Sequence, residues 1–479
     1  MNRYETLLSN TMLISIGTFG SKVLVFLMVR FYTDWLTPAE YGTADLITQA
    51  ANLLLPVVSL GITDSVFRFA LDQPKERQSI FTTGLLVIAV GSLLYASLIP
   101  LLGEFLPVDS YHGLISVYVI ASCLHSLCAQ YVRATGRTKL YALQGLIGTL
   151  LVIAFNVLLL AVLERGITGY VASVVLSDIA CTVLMVIKEK MWRLITRHPE
   201  RGLLRPMLRY SIPLIPTTIF WWTTSVSDRF MVTAFLGSSA NGIYTVSCKI
   251  PTVLVLLSGV FMEAWQYSAV REKEIGESAY ERFYSKIWET FTAWMTLACS
   301  LVIAFSRIEI RLLAEPEYYE AWKYLPALCM AMLFSAFVSF LGSVYIVRKK
   351  SGSAFRTSLA AAVTNLVLNF VLIPSPLGIQ GAAIATLASY ALVFVLRALS
   401  VRKMVPFRLQ GKRLLAGIVL LSVQSFALIA ELHGSTIIQV LCLAGLIAIY
   451  GRAAISSLKK ASLMMIKITS GIRKKGRLQ

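Results

Sequence analysis

Several charged side chains stand inside stretches otherwise too apolar to hold charge, and they set the chemistry open to this chain. Lys22, Arg229 and Lys249 each interrupt a run of about 20 mainly apolar residues, the length that crosses the hydrocarbon layer of a bilayer. An ionised group there is costly, so it faces a polar cavity or an opposite charge. Lys22 lies near the middle of its run, beside Gly17, Thr18 and Ser21, too deep to snorkel. It reads as a cavity cation or as the partner of Asp45 or Asp64. Arg30 stands nearer the outer end of the same run, where snorkelling is an equal reading. Arg229 offers a planar fork matched to phosphate oxygens, and the adjacent Asp228 would hold that fork, relay a coupling cation, or simply brace the helix. Thr218, Trp221 and Ser225 are spaced to share one helical face leading to this pair. Trp221 and Trp222 are either sugar-stacking platforms or buried packing. Asp45, Asp64 and Asp228 are the candidate proton or sodium sites. The pattern assigns no role to Asp178 or Glu289, while Arg68 and Glu263 fit ordinary interfacial helix ends.

Bond-making chemistry finds no support. There is no Ser/His/Asp set, no glycine-rich phosphate loop in a plausible context, and no nucleotide-binding motif. The seven cysteines show neither disulfide nor zinc-ligand spacing and all fall within apolar runs. The four histidines are scattered, and no metal or other cofactor is expected.

The elements that must position these charges are membrane helices. Hydrophobic residues make up 57% of the chain and charged residues 14%, which leaves no soluble domain of useful size. About 14 spans can be drawn, the first at Asn10–Val29, the second at Tyr41–Ile62, the seventh at Ile212–Phe235 and the eighth at Gly242–Trp265. The fold class is therefore all-α and polytopic. Residues 1–187 form an N-terminal bundle of six spans, 188–210 a cytoplasmic linker, 211–400 a second bundle of six, and 401–479 a final helix pair with a basic tail. Pro213 and Pro216 should bend the seventh span at its inner end. A net charge of +19 does not point to nucleic acid, because of where it sits. Roughly 36 of the Lys and Arg residues fall on one set of alternating connectors and about 5 on the other, which places both termini in the cytoplasm by the positive-inside rule. The tail, with Arg473, Lys474, Lys475 and Arg477, adds contact with anionic lipid.

The chain also repeats itself. Thr33, Leu36 and Gly42 fall on Thr233, Leu236 and Gly242 at a register of about 200 residues. Asn156 followed by Gly166-Ile167-Thr168-Gly169 matches Asn369 followed by Gly378-Ile379-Gln380-Gly381. An even number of intervening spans gives the halves one orientation, the parallel-repeat plan in which two bundles rock about a central cavity.

Glu40-Tyr41-Gly42, Asp228-Arg229, Gly242-Ile243-Tyr244 with Lys249, Asn365-Leu366-Val367-Leu368-Asn369 with Ile373-Pro374, and Gly378 through Thr386 together carry a family resemblance. In order and spacing the chain resembles the polysaccharide transporter branch of the multidrug/oligosaccharidyl-lipid/polysaccharide flippase superfamily, over nearly its whole length. The resemblance implies a flippase that moves a polyprenyl-diphosphate-linked oligosaccharide from the cytoplasmic to the outer leaflet. Its partners would be membrane lipid, the anionic glycan lipid, a coupling H+ or Na+, and polysaccharide-synthesis proteins. Lys22, Arg30, Arg229, Lys249 and Trp221 are the expected substrate contacts. The alternatives are a multidrug cation antiporter, a lipid II flippase, a membrane glycan polymerase, or an inactive scaffold.

Overall fold

The computed structural model describes residues 20, 23–102, 111–197, 199–200, 202–259, 261–262, 277–348 and 350–475. Among them there are helices and turns and no strand. In chain order the helices are α1 (23–35), α2 (Pro38–Val58), α3 (Ile62–Asp72), α4 (Arg77–Leu102), α5 (His112–Ala134), α6 (Thr138–Asn156), α7 (Gly166–Glu189), α8 (Leu204–Ser211), α9 (Ile215–Leu236), α10 (Ser238–Lys249), α11 (Glu277–Leu313), α12 (Leu325–Val347), α13 (Ser351–Leu372), α14 (Ile379–Arg402), α15 (Gly411–Ile429) and α16 (Ser435–Lys475).

Eleven helices among the described residues are long and apolar enough to cross a membrane, or up to 12 if the bent pair α2–α3 is one span. The chain is thus a multi-pass membrane protein. Among the described residues the expected count of 14 is not reached, for two reasons. The first expected span, Asn10–Val29, falls largely outside the described residues, Lys22 with it. The seventh forms as α9, yet Thr217, Thr218, Thr223, Thr224, Ser225, Ser227, Asp228 and Arg229 make it too polar to count by hydropathy alone.

The second expected span is broken. Pro56 removes a backbone donor, and Leu60 and Gly61 then take left-handed angles, φ 50° and 61°, so that α3 leaves α2 at 52°. Pro213 likewise opens a single 3-10 turn, Ile212–Leu214, between α8 and α9.

The chain divides into two compact units. Unit 1 contains Met1–Lys249, Arg311–Tyr319 and Leu366–Ala382. Its apolar core runs through Ile47, Val58, Val66, Val119, Leu127, Val171 and Met207. Unit 2 contains Ile250–Ile310, Glu320–Asn365 and Ala383–Gln479. Its centre is aromatic. Trp288 packs against Phe337 and Phe340 with ring centroids 5.3 and 5.4 Å away and lies nearly parallel to Phe394 at 9°, while its indole N–H donates to Leu409 O at 3.1 Å.

The internal repeat is visible as geometry within unit 1. A Cβ added at Gly42 would stand 2.0 Å from Ser238 O, and one added at Gly242 would stand 1.9 Å from Pro38 O. With position 38 equivalent to 238 and 42 to 242, these are one contact seen from its two ends, the reciprocal pattern of a pseudo-two-fold. No side chain fits at that crossing, so α2 and α10 require glycine there. The second repeat signal is also structural. Gly166 and Gly378 both adopt positive φ, 52° and 51°. The glycine three residues on then meets the end of the preceding helix, with Leu159 O and Leu372 O lying 3.1 and 2.5 Å from where a Cβ would sit.

Candidate functional site

The start of α2 is fixed by its own sequence. Thr37 caps it, accepting from Glu40 N, and Glu40 Oε2 in return accepts from the Thr37 backbone N–H at 3.0 Å, with Pro38 at the first helical position. One turn past the glycine crossing, Asp45 points inward and is buried to 5% exposure. Asn241 donates from Nδ2 to Gly42 O at 2.9 Å, which locks the register of α10 against α2.

An ion group is built on this crossing. Arg229 Nη1 donates to both Asp45 oxygens, at 2.6 and 2.8 Å, and the Thr245 hydroxyl donates to Asp45 Oδ2 at 3.2 Å. Asp228, also 5% exposed, accepts a short hydrogen bond from the Tyr244 hydroxyl and one of 2.9 Å from the backbone N–H of Arg229. Gln49, one turn beyond Asp45, offers Nε2 to Asp45 Oδ1 at 3.5 Å, and its carbonyl accepts from Trp222 Nε1 at 3.1 Å. Lys249 lies one turn beyond Thr245, near enough for Asp45 and Arg229 to act on it electrostatically. Arg229 Nε is buried with no hydrogen-bond partner among the described residues.

Two cations and two carboxylates therefore share one site. Four of the expected residues, Arg229, Lys249, Asp45 and Asp228, come together in it. Arg229 pairs with Asp45, the carboxylate that the sequence offered to Lys22, while Asp228 accepts from Tyr244. Trp221 is in α9, where only its backbone is described; Thr218 and Ser225 are exposed on that helix. The other expected residues that the structure describes lie outside this group. Arg30 forms an ion pair with Glu315, whose backbone N–H also donates to Thr33 Oγ1 at 3.2 Å. Nearby, Tyr318 donates to Leu36 O at 2.7 Å, and burial pushes its phenol well above the usual range, so it remains a donor. Asp64 is exposed in the first turn of α3, where its charge complements the helix N-terminus after the bend. Glu289 bonds Arg413 at 2.9 Å and Arg68 bonds Asp72 at 3.1 Å. Glu263 lies outside the described residues.

Sequence reasoning missed Tyr244, Thr245 and Gln49 as members of the group. The repeat register held the signal for one of them. It sets Asp45 opposite Thr245, and residues equivalent across a pseudo-two-fold meet where they lie close to the axis.

An apolar groove of about 900 Å³ lies elsewhere in unit 1, lined by α2 and α4 through Leu54, Val58, Leu86, Val90 and Leu94 and closed by Leu208. Arg205 and Arg209 flank Leu208 on α8.

Comparison with known proteins agrees with this architecture. The family model described as "Polysaccharide biosynthesis protein" matches residues 7–266. No curated protein matches the chain in sequence. In fold, it is similar to the lipid II flippase MurJ in an inward closed conformation, at TM-score 0.70 and 15% identity over 95% of this chain and 100% of that one. It is also similar to an inward-facing multidrug resistance transporter of the MATE family and MOP superfamily, at TM-score 0.64 and 13% identity over 80% of this chain and 94% of that one. A variant of the Vibrio cholerae MATE transporter VcmN gives TM-score 0.57 and 14% identity over 84% and 96%.

Proposed function

We infer the function from one premise: this chain belongs to the polysaccharide biosynthesis protein family. In this reading it is a flippase that carries a polyprenyl-diphosphate-linked oligosaccharide from the cytoplasmic to the outer leaflet, for export of cell-surface polysaccharide. The two repeats, 1–187 and 211–400, alternate access to a shared cavity, and both termini face the cytoplasm. The single observation carrying the anionic cargo is the group at the α2–α10 crossing. Arg229 is held there by a carboxylate on another helix, with one of its donors, Nε, unmet.

A diphosphate brings two negative charges and oxygens spaced to match the guanidinium fork, so an arriving head group can compete with Asp45 for Arg229. Only the head group needs this polar shelter. The polyprenyl tail stays among apolar surfaces such as the groove between α2 and α4. Lys249 stands within the group, and Lys22 and Trp221 complete the proposed contacts. A multidrug cation antiporter would need excess negative charge at such a site, and the formal charges here balance. A lipid II flippase is the second reading, favoured by the extent of the structural likeness to MurJ.

The test is translocation of a fluorescent polyprenyl-diphosphate oligosaccharide in proteoliposomes at matched protein levels. Asp45→Asn combined with Arg229→Gln removes the charges as a pair and leaves no lone buried ion. Loss of a charge-assisted hydrogen bond worth about 1.5–3 kcal/mol should slow flipping by roughly tenfold to a hundredfold. Wild-type rates in that variant would remove Arg229 from substrate binding. A lipid II analogue flipped in preference to other glycan lipids would favour the second reading.

A further inference from the structure

A second, partly buried polar cluster in unit 1 takes no part in the ion group. It joins His125 of α5, Gln144 of α6 and Asp178 of α7. His125 Nε2 lies 2.8 Å from Gln144 Oε1, and its Nδ1 lies 3.4 Å from Asp178 Oδ1. Asp178 Oδ2 accepts a short hydrogen bond from the Ser122 hydroxyl. Gln144 is 6% exposed, and its backbone carbonyl is held by Cys181 Sγ at 3.5 Å.

This arrangement fixes where a proton must go. With the Gln144 oxygen turned toward it, Nε2 serves as the donor in the tautomer that satisfies this contact. A neutral imidazole would then aim its Nδ1 lone pair at a carboxylate. A single proton between Nδ1 and Oδ1 removes that conflict, leaving imidazolium against carboxylate with no net charge. Without the proton, the cluster carries one negative charge among apolar helices, a state that requires water or an approaching cation. The side chains of His125 and Asp178 are 24% and 18% exposed, so the pair is not sealed inside the core. Sodium fits poorly, since an imidazole nitrogen is a weak ligand for a hard cation that prefers oxygen.

We propose that His125 and Asp178 form the proton-binding site that couples a proton gradient to transport, a role that rests on the flippase reading. One proton is taken from water on one side and returned to water on the other; only N–H and O–H bonds form and break. Of the acidic groups that the sequence offered for coupling, Asp45 is committed to Arg229 and Asp228 to Tyr244. A polar row leads from the cluster toward them. Ser177 donates to Gly148 O at 2.8 Å, Ser173 to Asn156 Oδ1 at 3.0 Å, and Asn156 Nδ2 to the Tyr32 hydroxyl at 3.0 Å. Tyr32 packs beside Tyr41 at 6.0 Å, and Asp45 acts electrostatically on Tyr41.

The charged and titratable groups on the helices packed around the pair are these. Besides His125, Tyr118 of α5 and Cys181 of α7 interact electrostatically with Asp178, and α6 contributes the uncharged Gln144. From the other packed helices, Asp45 of α2 acts on Tyr170 of α7, and Tyr95 of α4 bonds Ser116. On α3, Arg68 and Asp72 pair with each other and Asp64 is exposed. Glu189 of α7 pairs with Arg137 at 3.6 Å, and both Glu189 and Arg77 of α4 act on Tyr131.

The experiment measures flipping of the fluorescent polyprenyl-diphosphate oligosaccharide under an imposed pH gradient, and separately under a potassium diffusion potential. The wild type should accelerate with the gradient. Asp178→Asn and His125→Gln should each lose that response by about tenfold at matched folded protein, while Asp178→Glu recovers part of it. Variants responding like the wild type, or a wild type that ignores the gradient, would overturn the proposal. In parallel, 15N spectra of imidazole-labelled protein follow His125 through a pH titration without any substrate. Loss or displacement of its protonation step in Asp178→Asn supports the shared proton, and an unchanged titration refutes it. If the wild type flips no glycan lipid at all, the flippase reading fails, and the titration alone decides whether the pair holds a proton.

Discussion

Unit 1 and unit 2 bury their arginines in opposite ways. Arg229 in unit 1 is met by a carboxylate on another helix, beside a crossing so close that only glycine fits. Arg397 in unit 2 is 6% exposed and is met by neutral oxygens: its Nη1 donates to Val338 O at 2.9 Å, its Nε to Thr357 Oγ1 at 3.1 Å and its Nη2 to Ser358 Oγ at 3.3 Å. The ring of Tyr345 lies 5.7 Å from its guanidinium carbon. A guanidinium held by fixed carbonyl and hydroxyl groups ties helices together. One held by an exchangeable carboxylate can trade partners with an incoming anion. In the proposed reading, that difference gives bracing to unit 2 and ligand chemistry to unit 1.

The largest expected effect breaks unit 1 at its ion pair. Asp45→Asn leaves Arg229 buried without its counter-charge, and thermal unfolding in detergent should show a loss of about 3–5 kcal/mol. Adding Arg229→Gln should restore much of it, because the double variant no longer buries a lone ion. If Asp45→Asn unfolds like the wild type, the pair does not organise this unit.

Trp288→Ala probes the other side of the contrast. Removing the ring should cost a similar or slightly smaller amount, about 3–4 kcal/mol, through the cavity left among its aromatic neighbours. Flipping per folded molecule should be unchanged. A transport defect exceeding the loss of folded protein would show that unit 2 does more than brace.

A smaller effect sharpens the symmetry argument. Gly42→Ala and Gly242→Ala each force a methyl group onto a backbone carbonyl, which should destabilise by about 1–3 kcal/mol. The two losses should be nearly equal, since they are the two ends of one reciprocal contact. Clearly unequal values would mean that the crossing is not pseudo-symmetric in energy.

The contact division after Lys249 and the repeat division at 188–210 cut the chain in different places. The glycine crossing is why: it packs the start of the second repeat onto the first. The register linking Gly42 to Gly242 was legible in the sequence, but not that the two residues touch. Pairing was equally hidden. Asp45 was offered to Lys22 and Asp228 to Arg229, and Asp178 had no role until α5 and α6 brought Ser122, His125 and Gln144 to it.

What the sequence determined by itself is whatever depends on local or averaged properties: the all-helical membrane architecture, from apolar runs matched to bilayer thickness, and the repeat. It also singled out the charged residues, because an ion in an apolar run is conspicuous wherever its partner lies. Only the tertiary structure decided which charges neutralise each other, that Arg30 answers to Glu315, and that a histidine and an aspartate 53 positions apart share the geometry of one proton. Such pairings turn on distances of 3–4 Å between different helices, and a linear pattern with a period of 3.6 residues carries no information about them.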